Sequence, residues 1–356
     1  MKRWLFFCDT TYQLYTIITI ITTSNETVYA DLVIKHGFTD SHKYVSKVIQ
    51  ERLFDNIYEY SIDQSRSMIF AKVEDIGKLV FSRKWLKKNL DFAFQEYDCF
   101  YAANLDDNVA LALYATATFK EFNLFEDGTG SYHGDIINDY MSWKRRTLLK
   151  LSHPGKRYFN IDRMLLYAPE ISLSTACKTF DQLHATQDER IGRVFEYRDT
   201  DLYDSRIVFL DQSYALDRPA EITAKRKEQD KILTNCLSAY LDTLVLRPHP
   251  RMPEGSIVVK NIDTTRNLWE LECVRKITDE HILISIYSSA AFQPILVSQK
   301  RPTLIFLFKI YDFLYSEDQM LQIESHIKKF MDKLNYRNIY VPKSWKEFKS
   351  VIEDNV

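Results

Sequence analysis

Glycine is scarce in this chain: there are eight in 356 residues, roughly a third of ordinary usage. Neither a G-x-G-x-x-G dinucleotide turn nor a Walker loop can be assembled from them, which disfavours NAD-dependent dehydrogenases and P-loop NTPases. The five cysteines (Cys8, Cys99, Cys177, Cys236, Cys273) are odd in number and widely spaced, with no CxxC pair. That fits a reducing compartment and argues against a structural zinc site. Excess charge is lacking too. Forty-seven basic against forty-nine acidic residues leave a formal charge of -2, so no global positive field holds nucleic acid, and no nucleic-acid partner is expected. No apolar run approaches the ~18 residues of a membrane span. Lys2 and Arg3 before an apolar start imitate a signal peptide, but Asp9, Gln13 and repeated threonines interrupt the run and no small-residue cleavage site follows. The expected location is the cytoplasm.

What is present is the material of a globular protein, 46% hydrophobic and 27% charged, long enough for two packed domains. The first 153 residues contain no proline, and short apolar runs alternate there with longer amphipathic ones, the pattern of repeated strand and helix. Strands are expected at 4–8, 28–34, 57–61, 98–102 and 118–125, with helices at 11–22, 41–54, 68–89 and 107–115. A second series follows, with strands at 206–210, 243–246, 257–259, 282–287, 303–308 and 339–341 and helices at 222–241, 268–274, 289–297 and 317–334. The fold class expected is α/β with two Rossmann-like domains, residues 1–170 and 205–356, joined by a polar linker over 171–204. Ligands of such sheets bind at the carboxyl ends of strands.

Three strand ends carry chemistry. In Phe125-Glu126-Asp127-Gly128-Thr129-Gly130-Ser131-Tyr132-His133-Gly134, three of the eight glycines follow a buried-looking strand, so the backbone there needs positive φ or close approach to a ligand. Adjacent carboxylates on a strand end point to opposite sides: one can act as a base while the other braces the loop. An ordinary Asp-Gly turn is the competing explanation. In Leu244-Val245-Leu246-Arg247-Pro248-His249-Pro250-Arg251, two prolines stiffen the segment around an imidazole, and a rigid histidine among arginines suits a phosphate. A proline-rich connection with a solvated histidine competes. In Ile284-Ser285-Ile286-Tyr287-Ser288-Ser289-Ala290, two hydroxyls stand where a helix begins and an anion can sit; a plain N-cap competes. Pro294 would kink that helix unless it starts later. Three weaker candidates rank below these: His153-Pro154, with no strand before it; the metal-type triplet Asp199-Thr200-Asp201, in the linker; and Asp106-Asp107, which suits a helix cap.

Together these residues carry a resemblance. Glu126-Asp127-Gly128, His249-Pro250 and Ser288-Ser289 resemble, in order and spacing, the acidic-acidic-Gly, His-Pro and Ser-Ser motifs of bacterial sialyltransferases. Cys8-Asp9-Thr10-Thr11-Tyr12-Gln13-Leu14 is similar to the first loop of glycosyltransferase family 52, which includes lipooligosaccharide and capsule sialyltransferases; some members transfer glucose instead. The resemblance implies a GT-B fold with an interdomain cleft, CMP-sialic acid as donor, inversion at the anomeric carbon, no metal and no cofactor.

Such a reaction needs a base on the acceptor hydroxyl and an acid on the departing phosphate. Glu126 is the expected base, Asp127 the close second, and His249 the acid. Gly128, Arg247, Pro250, Ser288, Ser289 and Gln212 are expected on the donor side, Thr11 and Gln13 on the acceptor side. The expected partners are a nucleotide-sugar donor and a glycan acceptor, with a homodimer as a further expectation. Basic segments around Trp143-Lys144-Arg145-Arg146 and Arg83-Lys84-Trp85-Leu86-Lys87-Lys88 suit peripheral contact with the inner leaflet, or a solvated helix face. A hexosyl transferase of the same fold and a non-catalytic glycan-binding protein are the alternatives.

Overall fold

The structure is a computed structural model that describes residues 1–61, 75–132, 143–153, 160–173, 177–212, 219–249, 252 and 255–356. The chain divides into two compact units, Met1–Phe195 and Glu196–Val356.

The first unit is built on seven parallel strands in the order β3-β2-β1-β4-β5-β6-β7. These are β1 (Lys2–Cys8), β2 (Val28–His36), β3 (Asn56–Ser61), β4 (Glu96–Ala102), β5 (Thr118–Phe125), β6 (Ile161–Leu166) and β7 (Cys177–Gln182). From Trp4 to Cys8 every residue of β1 is buried, as a central strand covered on both faces requires. Helix α1 (Thr11–Thr23) follows at once. The Thr10 side chain accepts from Gln13 N–H to start it, and residues 13–20 are buried all round. Four threonines are tolerated there because Thr16, Thr19, Thr22 and Thr23 turn their hydroxyls back to the carbonyl one turn earlier. Further helices are α2 (Ser41–Gln50), α3 (Ser82–Leu90), α4 (Asn108–Thr116), α5 (Trp143–Ser152) and α6 (Glu189–Val194).

The second unit repeats the plan with six parallel strands in the order β10-β9-β8-β11-β12-β13. They are β8 (Ile207–Leu210), β9 (Val245–Arg247), β10 (Asn261–Ile262), β11 (Ile282–Ser285), β12 (Thr303–Phe306) and β13 (Ile339–Tyr340). The helices are α7 (Ala220–Cys236), α8 (Trp269–Arg275), α9 (Gln293–Ser298), α10 (Glu317–Leu334) and α11 (Trp345–Asn355). Ser316 and Gln319 form a capping box that starts α10 where the sequence places it. Both sheets have the doubly wound order in which the chain works outward from a central strand and then crosses to the other side. Each unit is thus a Rossmann-type α/β domain.

Several expectations need correction. The linker expected over 171–204 contains β7 and α6, and the division falls after Phe195. Strands β6 and β7 escape a hydrophobic reading because they lie at the sheet's margin. Arg163 pairs there with Asp181 across the two strands and with Glu121, charges that blunt an edge. The strand expected at 257–259 is absent; β10 lies at Asn261–Ile262, and Val258 is exposed. Pro294 occupies the first turn of α9, where its missing N–H costs nothing. Of the helix expected at 68–89, residues 75–80 and α3 are helical, and 68–74 lie outside the described residues.

Candidate active site

In a doubly wound sheet the crevice opens at the carboxyl ends of the strands where the order reverses. In the first unit that point lies between β1 and β4. Asp9 follows β1, Asn104 and Asp106 follow β4, and Glu126 and Asp127 follow β5, so the carboxylate loop of the sequence stands at the fold's own ligand position.

Its two carboxylates have different surroundings. Glu126 is completely buried. Tyr12 OH donates to its Oε1 at 2.9 Å, Tyr167 N–H donates to Oε2 at 2.9 Å, and Tyr132 OH also donates to Oε2. Burial pushes its pKa up to about 7, against the pull of those donors. Asp127 is half-buried. Its Oδ2 accepts from Gln13 Nε2 at 3.0 Å and from Asn104 Nδ2 at 3.3 Å. Among the described residues nothing donates to Oδ1. Burial raises the pKa of Asp127 as well. Glu126, the expected base, thus has both its oxygens engaged and no exposed surface, whereas Asp127 has an oxygen to which no described residue donates.

The loop between them and Tyr132 turns on Gly128, whose φ of +77° is a conformation that a side chain resists. No atom of the described residues would meet a Cβ there, so among them backbone conformation, not space, calls for glycine. Ser131 N–H bonds Gly128 O at 3.1 Å, and Ser131 Oγ accepts from Asp127 N–H at 2.7 Å. Gln13, expected to touch the acceptor, is buried, and its Oε1 accepts from Asp9 N–H at 2.9 Å. Both ends of its amide are thus committed. Thr11, half-exposed, opens α1 beside it. Asp9 is pushed up to about 6 by burial and by the neighbouring Asp107 and Asp127. Asn104 carries no motif, and only the parallel pairing of β4 with β5 brings it to Asp127.

In the second unit the order reverses between β8 and β11. Gln212 follows β8, His249 follows β9, and Ser288 and Ser289 follow β11. Ser288 Oγ accepts from Ala290 N–H at 3.3 Å as the cap of a short 3₁₀ turn, while Ser289 is exposed. His249 is half-buried, and its carbonyl accepts from Met252 N–H at 2.7 Å. Pro250 and Arg251 lie outside the described residues.

Two donor-side expectations become structural. Arg247 donates to Tyr203 OH at 3.0 Å, Asp263 Oδ2 at 2.6 Å and Asn267 O at 2.6 Å, with its guanidinium over the Trp269 ring. Gln212 accepts from Tyr287 N–H at 2.7 Å and donates to Tyr287 O, so its amide splices the ends of β8 and β11. Both groups are spent inside the unit. Glu270, which the sequence does not mark, is a buried carboxylate that desolvation pushes up to about 7.

The weaker candidates resolve locally. His153 Nε2 lies 3.2 Å from Ser82 Oγ and 3.0 Å from Leu79 O, as a tie between α3 and the end of α5. Asp199 is exposed and paired with Lys276 at 2.7 Å, and Asp107 caps α4 by accepting from Val109 N–H at 2.7 Å.

No protein-family model matches the chain, and no curated protein matches it. Among solved structures it is similar to a UDP-N-acetylglucosamine 2-epimerase from Rickettsia bellii, with 11% identity, 86% of this chain and 79% of that one covered, and a TM-score of 0.42. It is similar to LpCGTa in complex with UDP, with 10% identity, 97% and 85% covered and a TM-score of 0.48. It is also similar to UGT89C1 of Arabidopsis thaliana complexed with UDP-L-rhamnose, with 10% identity, 100% and 99% covered and a TM-score of 0.41.

Proposed function

We propose that this chain is an inverting glycosyltransferase that moves sialic acid from CMP-sialic acid to a terminal galactose of a bacterial surface glycan. The observation that carries this reading is Asp127: a half-buried carboxylate one strand beyond the switch point, gripped on one oxygen by Gln13 and Asn104, which follow the two strands flanking that point, with no donor among the described residues to the other oxygen. A base held in one rotamer with a raised pKa is suited to take a proton from a hydroxyl.

In the proposed reaction Asp127 Oδ1 receives the acceptor's hydroxyl proton as that oxygen bonds to the anomeric carbon, and the bond from carbon to the phosphate oxygen breaks on the opposite side. His249 gives a proton or a hydrogen bond to the leaving CMP phosphate. The Ser288 and Ser289 hydroxyls hold its remaining oxygens. Glu126 acts through Tyr12, Tyr132 and Tyr167, fixing the loop that carries the base. Resemblance of the three motifs to bacterial sialyltransferases supports the choice of donor.

For a lipid-linked acceptor, peripheral docking on an anionic leaflet would use α3 and α5. Arg83, Lys84, Lys87 and Lys88 are exposed on the first; Trp143, Lys150 and Leu151 are exposed on the second. No helix among the described residues is long and apolar enough to cross a membrane.

The test is a donor screen with CMP-sialic acid and UDP-sugars against simple galactosides, on the native chain and on Asp127→Asn. Turnover of CMP-sialic acid, lost by orders of magnitude in the variant with the fold kept, supports the reading. Turnover of a UDP-sugar alone replaces the donor and makes the enzyme a hexosyl transferase. Inactivity with every donor, accompanied by glycan binding without nucleotide binding, overturns it in favour of a binding protein.

A further inference from the structure

Away from the carboxylate loop, the first unit gathers three ligand-type side chains at the margin of its sheet. His36 ends β2, His42 lies in the first turn of α2, and Glu59 belongs to β3, the edge strand. Glu59 is registered against Ile34, two positions before His36, so the Glu59 and His36 side chains share a face. The return into α2 then lays one imidazole on the other. The rings are stacked with centroids 3.6 Å apart and planes 18° from parallel. Imidazole lone pairs lie in the ring plane, so those of stacked rings run parallel, and the exposed His42 ring must turn for both nitrogens to reach one ion. Both address one oxygen: His36 Nε2 is 2.8 Å and His42 Nδ1 3.8 Å from Glu59 Oε2. The three ligand atoms all lie within 4.8 Å of one another.

Those separations fit a cation. Tetrahedral bonds of ~2.0–2.1 Å put neighbouring donor atoms about 3.3 Å apart, a value that 2.8 and 3.8 Å bracket. The side chains that must adjust are free to do so, since those of His42 and Glu59 are 72% and 44% exposed. The one that must stay is anchored: the buried His36 has its Nδ1 2.9 Å from Ser41 Oγ. A hydroxyl either donates to or accepts from that nitrogen, so the ring's single proton can sit on Nδ1 and be donated to Ser41 Oγ, which leaves the Nε2 lone pair for a metal. This is the outer support that metal-binding histidines receive. Two imidazoles and a carboxylate are a donor set for a first-row divalent ion and a poor one for calcium or magnesium, which take oxygen.

We propose that His36, His42 and Glu59 bind a divalent transition-metal ion, Zn²⁺ by donor set, with the remaining position open to water. The ion would clip the edge strand β3 to the start of α2, separate from the sugar chemistry at Asp127.

The experiment is calorimetric titration of the full chain with Zn²⁺, repeated on His42→Ala and Glu59→Gln, with thermal melts with and without the ion. One equivalent should bind with micromolar affinity. Each substitution should weaken binding at least about ten-fold, and Zn²⁺ should raise the melting temperature of the native chain but not of the variants. His42 is exposed, so His42→Ala should fold, and circular dichroism checks that it does. Absence of binding to the native chain, or undiminished binding by both folded variants, overturns the proposal.

Discussion

Gln13 Nε2 donates to Asp127 Oδ2 at 3.0 Å, a bond between residues 114 positions apart. Its other end accepts from the Asp9 backbone at 2.9 Å, so one buried amide joins the loop after β1 to the carboxylate after β5. Gln13 is thus a positioning residue for the proposed base. In Gln13→Ala the Asp127 side chain regains rotamer freedom, and kcat should fall by about 10–100-fold, the scale of a misplaced reacting group. Donor KM should change little. A loss confined to KM would make Gln13 a binding group instead.

Asp127 and Glu126 should separate cleanly. Asp127→Asn should lower kcat by about 10²–10⁴-fold, the usual contribution of general-base catalysis, with the melting temperature nearly unchanged. Glu126→Ala leaves two tyrosine hydroxyls and a backbone N–H without their acceptor and should cost about 3 kcal/mol or more of stability. Urea unfolding beside steady-state kinetics distinguishes the two. The reverse pattern would return the base to Glu126.

Stability should depend on pH with an unusual sign. The folded pKa of Glu126, about 7, lies above the ordinary glutamate value of 4.5, so the folded state holds a proton that the unfolded chain releases. Its contribution is fully present below about pH 4.5 and is lost as pH rises toward 7, on the order of 3 kcal/mol for a shift of this size. Asp9, raised to about 6, acts in the same direction. Urea midpoints measured between pH 5 and 8 should therefore fall with rising pH, and Glu126→Gln should flatten the curve. A rise over that window in the native chain would contradict the assignment.

Arg247 should prove structural. Its removal leaves Asp263 buried without its cation, a change that costs about 3–5 kcal/mol in comparable pairs. Arg247→Lys should rescue poorly, because an ammonium cannot reproduce the planar fork that meets Tyr203, Asp263 and Asn267. In contrast, His249→Ala should spare stability and lower turnover. Denaturation curves with CMP titrations check both, and weakened CMP binding with unchanged stability in Arg247→Ala would restore it to the donor site.

Docking through α3 should be electrostatic. Lys87→Glu with Lys88→Glu should release the chain from anionic vesicles, and salt should do the same to the native protein. Co-sedimentation indifferent to both would remove the leaflet from the account.

Much of this architecture is visible in local pattern. The strand at 118–125 and the helix at 317–334 coincide with β5 and α10 because each has its period and its punctuation in adjacent residues: a glycine-rich loop after one, a Ser–Gln capping box before the other. β6 is different. Its charges satisfy neighbouring strands, and no periodicity announces that. Yet β6 leads to the Tyr167 N–H that holds Glu126, and without that strand the roles of the two carboxylates cannot be sorted.

Runs of apolar residues and the breaks between them were enough to mark two α/β series, the ends of most of their strands, and the chemical groups waiting there, since hydrophobic period and turn chemistry act over a few residues. The choice between Glu126 and Asp127, the withdrawal of Gln13, Gln212 and Arg247 into internal bonds, and the meeting of His36, His42 and Glu59 came only with folding. Burial and hydrogen-bond partnership are set by whatever the packed chain brings alongside, and those partners come from 114 residues away for Asp127 and from 114 and 41 for Glu126.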